Sequence, residues 1–117
     1  MDHERFLQEV LLRLKSGGDF SYSPYDCMRQ EYGAAVFFCD NDVNIVEGSY
    51  SCHPALRDYY DLKIFLSVEP EEQIKRIKRR EGDAHAADFF GKWIPMEERY
   101  IEEYRVPEYC DLQYSSL

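Results

Sequence analysis

The chain is expected to be an α/β protein with a mostly parallel sheet, and three observations carry that expectation. Apolar runs of strand character at 43–46 and 62–68 alternate with stretches of helical period at 2–15 and 70–80, the order that crossover units produce. The first run stops abruptly in Glu47-Gly48-Ser49-Tyr50, as a buried strand does where it enters a loop. At 117 residues there is room for one domain, 1–117, which would bury roughly 65% of its unfolded surface.

Residues 2–15 read as an amphipathic helix. Phe6, Val10 and Leu14 recur at i, i+4 and i+8, Leu7 and Leu11 widen the stripe, Asp2 is placed to cap the start, and Gly17-Gly18 ends it. Residues 19–33 have neither helical period nor long alternation and read as a loop, in which Pro24 fixes its own φ and biases Ser23 to an extended conformation. That loop holds Phe20, Tyr22, Tyr25 and Tyr32, with Asp26 and Arg29 among them. Two readings stay open: the tyrosines stack on a planar ligand, or they pin a long connection to the body of the domain. The apolar run 34–39 and the turn signal Asp40-Asn41-Asp42 precede the strand 43–46, either as one arm of a hairpin or as a lead into it.

Beyond Gly48, Pro54 is expected to open a short helix at 54–57, and Asp58-Tyr59-Tyr60-Asp61 leads into the strand 62–68. Ser49, Ser51 and His53 offer a nucleophile and a base, but no third partner or nucleophile-elbow pattern accompanies them. The helix at 70–80 carries Glu71 and Glu72 in its first turn and Lys75, Arg76, Lys78, Arg79 and Arg80 toward its end, matching the helix dipole. The same five cations would serve phosphate oxygens, with the arginines as forked donors. Residues 81–93 read as an irregular, mobile connection in which Gly82 and Gly91 bracket Asp88-Phe89-Phe90. Pro95 then starts a third helix over 96–104, and 110–114 is a terminal edge strand.

A net charge of −9 argues against a nucleic-acid backbone binder and against an anionic membrane surface. With 44% apolar and 32% charged residues, the composition is that of a folded globular chain. Cys27, Cys39, Cys52 and Cys110 are separated by 12, 13 and 58 positions, which forms no zinc pattern and suits reduced thiols in the cytoplasm. No signal sequence and no apolar run of membrane-spanning length is present, and no metal site is expected.

Several short motifs stand in a characteristic order: Val46-Glu47-Gly48-Ser49-Tyr50, Leu56-Arg57-Asp58, Tyr60-Asp61-Leu62-Lys63-Ile64-Phe65-Leu66, and Arg76-Ile77-Lys78-Arg79. With Pro24-Tyr25-Asp26 before them and Trp93-Ile94-Pro95-Met96-Glu97 after, they resemble the uridine kinase branch of the P-loop nucleoside kinases over nearly the whole chain. The resemblance implies an incomplete three-layer P-loop kinase-like fold, because no GxxxxGK[ST] occurs in the sequence. The first strand, the phosphate cradle and the acidic residue that activates the acceptor hydroxyl would then be missing.

By the same resemblance, Tyr25 and Asp26 would bind the nucleoside, Glu47 would lie by the magnesium and phosphate region, and Arg76 and Arg79 would act in catalysis from a closing lid. Arg80 would be a weaker cofactor-binding candidate, and Gly82-Asp83-Ala84-His85 departs from the arginine-rich stretch usual there. ATP and Mg²⁺ are the cofactors implied for a complete enzyme, with no tight binding expected from this chain. The function expected is that of a truncated or degenerate nucleoside kinase, inactive in isolation. The alternative is a noncatalytic interaction module that forms a homo-oligomer or pairs with a complementing N-terminal chain.

Overall fold

A computed structural model gives the structure of the chain, in which residues 2–116 are described, residue 116 by its backbone alone. The chain divides into two compact units, Met1–Gly48 and Ser49–Leu117.

The first unit begins with a helix over 3–16 (α1), built from His3–Phe6, a π-helical turn Leu7–Leu11, and Leu12–Ser16. The Asp2 carboxylate accepts from the Arg5 amide at 3.0 Å, satisfying one of the amides that a helix start leaves without an intrahelical partner. At the other end Gly17 has φ +76°, a left-handed value that glycine adopts without a Cβ penalty, and its amide closes on the Leu14 carbonyl. Four short strands follow: β1 (Phe20–Tyr22), β2 (Tyr25–Asp26), β3 (Glu31–Tyr32) and β4 (Val36–Phe38). β1 pairs antiparallel with β4, and β2 pairs antiparallel with β3. Asp40 ties the base of the first pair, since its carboxylate accepts from Gly18 and its amide donates to Asp19. Leu11 and Phe20 are the buried apolar side chains, and the Phe20 and Phe38 rings meet across the β1–β4 ladder with centroids 4.9 Å apart.

The second unit opens with turns over 49–56 and a 3₁₀ turn, Arg57–Tyr59, before β5 (Ile64–Val68). A helix α2 (Pro70–Asp88) follows, broken at Gly82, where φ is +79°. A π-helical turn (Phe89–Trp93) leads into α3 (Ile94–Glu103), and a 3₁₀ turn (Val106–Tyr109) leads into β6 (Leu112–Ser116). β5 and β6 pair in parallel from Ile64↔Leu112 to Val68↔Ser116. The ladder is anchored where both strands begin: Lys63 donates its amide to the Asp111 carboxylate and accepts from the Asp111 and Leu112 amides. Leu56, Ile77, Ala86, Tyr100 and Val106 form the buried core, with Leu56 fully enclosed. Among the described residues no helix is long and apolar enough to cross a membrane.

The expected fold class is corrected on this evidence. The three-layer, mostly parallel P-loop kinase-like sheet is not what forms; the chain is a small mixed α/β protein with two short antiparallel sheets and one parallel pair. The decisive segment is 43–46, which is not a strand because no neighbour closes a ladder with it. Val43 and Ile45 are 77% and 88% exposed there, so the run has extended-strand composition without the pairing that makes a strand. The hairpin expected between 34–39 and 43–46 is likewise absent, since Val36–Phe38 pairs with β1 instead. Residues 19–33, expected to be a loop, supply three of the strands. The irregular connection expected over 81–93 is largely helical, with only Gly82 leaving the helical conformation.

Candidate functional site

A cavity of about 870 Å³ lies within the first unit, in the size range of small-molecule pockets. One face of α1 forms a wall, because Asp2, Arg5, Phe6 and Glu9 recur at helical spacing. Opposite stand tyrosines from the strands, Tyr22, Tyr25 and Tyr32, and the segment 44–47 completes the lining with Glu47 at its end.

Arg5 organises this wall. Its guanidinium grips the Glu9 carboxylate through two nitrogens, at 3.1 and 2.9 Å, and donates to the Ser23 carbonyl. The Cζ of the same guanidinium lies over the Tyr32 ring, 4.1 Å from its centroid. Tyr32 meets Tyr25 edge to face with centroids 5.3 Å apart, the cross-strand contact that the Tyr25↔Tyr32 register dictates. The helix, the Ser23 link and the β2–β3 hairpin are therefore held by one cation. The cavity presents aromatic surface, phenol hydroxyls and carboxylates, a chemistry suited to a flat, polar-edged molecule.

The structure treats the sequence-derived candidates differently. Tyr25 and Glu47 line the same cavity. Asp26 stands on the adjoining hairpin but spends its carboxylate on the turn, accepting from the Met28 amide at 2.9 Å and the Arg29 amide at 3.2 Å. This Asx-type closure is the reason an aspartate sits at that turn. Arg76, Arg79 and Arg80 lie on α2 in the second unit. Arg76 Nε donates to Glu72 at 2.9 Å, and that hydrogen bond, with the neighbouring cations, holds the Glu72 carboxyl below its ordinary value. Arg80 Nε donates to Glu81 at 2.7 Å and its guanidinium faces the Phe89 ring. Arg5 and Glu9 were not among the sequence candidates. Their signal was an i, i+4 cation–carboxylate pair directly preceding Phe6 and Val10 of the apolar stripe.

His53 is a turn residue here. Its Nδ1 accepts from the Ala55 amide at 3.1 Å, as a residue closing a turn does, and its ring packs on Tyr104. Around it the second unit gathers an unusual core of titratable groups. Tyr50 packs edge to face on Tyr100, and Tyr100 on Tyr104. Tyr60 donates its hydroxyl to the Ser51 carbonyl at 2.6 Å. Burial pushes the Tyr60 phenol up to about 12, with the Cys52 thiol adding to the shift, and raises Tyr100 further still for the same reasons. The buried hydroxyls of Tyr50 and Tyr100 have no hydrogen-bond partner among the described residues.

A comparison with models of known protein families finds no match, and a comparison with curated proteins finds none either.

Proposed function

We propose that this chain is a nucleoside-handling protein of uridine kinase-like character that does not transfer phosphate by itself. The cavity of the first unit carries this reading, because it brings Tyr25 and Glu47 together with Tyr32 and a fixed arginine. An aromatic pair of this kind offers a base a stacking surface, and carboxylates at the rim accept hydrogen bonds from ribose hydroxyls. The proposal concerns the chemistry of the site and leaves aside the parallel three-layer fold, which the structure contradicts.

Phosphoryl transfer depends on positioning and charge stabilisation, for which the 117 residues contain no GxxxxGK[ST] loop. No group of three or more His, Cys, Asp or Glu among the described residues could hold a metal ion. Arg76, Arg79 and Arg80 are suited to weak association with phosphate oxygens, in a cytoplasmic setting where nucleotides are abundant. Titration calorimetry with uridine tests the reading: saturable binding that Tyr25→Ala abolishes is expected, and equal heats for the two proteins would defeat it.

A second reading rests on a separate observation. Ile64, Leu66, Leu112 and Tyr114 are exposed on the two-stranded parallel ladder of the second unit. Parallel sheets are ordinarily covered on both faces, and a strand edge is a template for pairing. This favours a noncatalytic interaction module that associates with a second copy or with a complementing chain.

A further inference from the structure

The charges around the cavity of the first unit do not balance. Three carboxylates, Asp2, Glu9 and Glu47, line it with a single cation, Arg5. That cation is committed, since its guanidinium holds Glu9 through two nitrogens and donates to the Ser23 carbonyl. Asp2 is occupied at the start of α1, where one of its oxygens accepts from the Arg5 amide at 3.0 Å. Glu47 makes no hydrogen bond or ion pair among the described residues, so its charge stands uncompensated in the lining. The surrounding unit adds to the imbalance, because residues 1–48 hold nine carboxylate side chains against four lysines and arginines.

The aromatic walls act in the same direction. Tyr22, Tyr25 and Tyr32 line the cavity, and the face of an aromatic ring is its negative part. The unit itself shows the preference, with the Arg5 Cζ over the Tyr32 ring. An ammonium group entering the cavity meets ring faces and an unpaired carboxylate. A phosphate meets the same groups with the opposite sign of charge, and the one cation of the lining is already held by Glu9.

We infer that the cavity selects its ligand by charge: it takes a nucleoside bearing an ammonium group in preference to the neutral parent, it refuses the nucleoside phosphate, and Glu47 sets the preference. This rests on the nucleoside reading of the same cavity and adds the ligand class that reading leaves open. Because Glu47 is exposed, an ion pair there is screened by solvent and strengthens binding about fivefold. A phosphate monoester carries nearly two negative charges near neutral pH and is opposed by Glu47, by Asp2 and by the unit as a whole. It binds at least about tenfold more weakly than the neutral nucleoside.

Titration calorimetry on the full chain near neutral pH and at low salt compares uridine, 5′-amino-5′-deoxyuridine and uridine 5′-monophosphate. The expected order is amine, then uridine, then monophosphate, with the amine about fivefold tighter than uridine. Glu47→Gln keeps the shape and removes the charge, and should bring the ratio of amine to uridine affinity close to one. Asp42→Asn removes the same charge from the unit at a residue outside the lining, and should keep the ratio. Saturable uridine binding with the three ligands within twofold of one another, with the monophosphate tightest, or with a ratio that survives Glu47→Gln would overturn the inference and leave the nucleoside reading standing. So would a ratio that Asp42→Asn removes equally well. Binding of the amine alone, lost in Glu47→Gln, would defeat the nucleoside reading and support the charge selection. No binding of any of the three would overturn both. Should Glu47→Gln fail to fold, the Glu47 carboxyl-carbon shift in the unsubstituted chain decides: a larger change with the amine than with uridine supports the inference, and equal changes overturn it.

Discussion

Replacing Arg5 with methionine should loosen the wall of the cavity by an amount that can be worked out from its partners. The Glu9 ion pair joins side chains that are 25% and 41% exposed, so solvent screening limits it to about 0.5 kcal/mol. The charged hydrogen bond to the Ser23 carbonyl contributes about 1.5 kcal/mol, and the guanidinium over the Tyr32 ring about 0.5–1 kcal/mol. These share one side chain and do not add fully, which gives an expected loss of about 2 kcal/mol. Native-state hydrogen exchange is the assay, read at the Gly33 amide, which donates to the Pro24 carbonyl at 2.7 Å and reports opening of the hairpin. Its protection should fall roughly 30-fold, the factor that about 2 kcal/mol corresponds to. Arg5→Lys should recover less than half, because an ammonium cannot grip Glu9 through two nitrogens and reach Ser23 while staying over the Tyr32 ring. Unchanged protection in Arg5→Met would refute the claim that one cation joins helix and hairpin.

Leu56→Ala should destabilise the second unit by about 2–5 kcal/mol, since the side chain is fully enclosed and its removal leaves a cavity. Urea unfolding followed by tyrosine fluorescence measures it, and a loss under 1 kcal/mol would mean that the site collapses or that the core lies elsewhere. Alkali should destabilise the same unit: Tyr60 and Cys110 have folded values of about 12 and about 11, above their ordinary 10.0 and 9.0. The unfolded chain therefore ionises first, so stability is intact below pH 9 and is lost progressively up to about pH 12. Each group costs on the order of 1 kcal/mol after allowance for solvent screening. Under reducing conditions Tyr60→Phe should flatten the fall above pH 10, and an identical pH profile for that variant would remove Tyr60 from the account.

The helices were readable because their information is local. Asp2, the Phe6/Val10/Leu14 spacing and Gly17 specify α1 without reference to any other segment. Pro70 with Glu71 and Glu72 does the same for the start of α2, and Pro95 stands within one residue of the start of α3. The strands at 62–68 and 110–114 were readable too, but the pairing of strands was not, because a ladder is defined by its partner. Residues 43–46 have the better strand composition, yet Phe20–Tyr22 is the segment that finds a ladder, and Ile64–Val68 chooses the terminal β6. Glycine misled at 81–93, where Gly82 and Gly91 suggested a loop but only Gly82 breaks the helix. In the candidate site, Tyr25 and Glu47 could be picked out as an aromatic in an ordered loop and an acid closing an apolar run. Asp26 could not be separated from a ligand because its turn bonds depend on the hairpin. Arg5 was hidden within a stripe that reads as packing.

The central claim is that the cavity between α1 and the tyrosine hairpin accepts a nucleoside. A uridine titration followed by amide chemical shifts tests it most directly, since it reports location and affinity together. The account predicts saturable shifts at Tyr25, Tyr32 and Glu47 with a Kd of about 1 mM or tighter, no shift at Ser115 on β6, and loss of the effect in Tyr25→Ala. Shifts that fail to saturate, that appear on β5 and β6 instead, or that persist unchanged in Tyr25→Ala would contradict it.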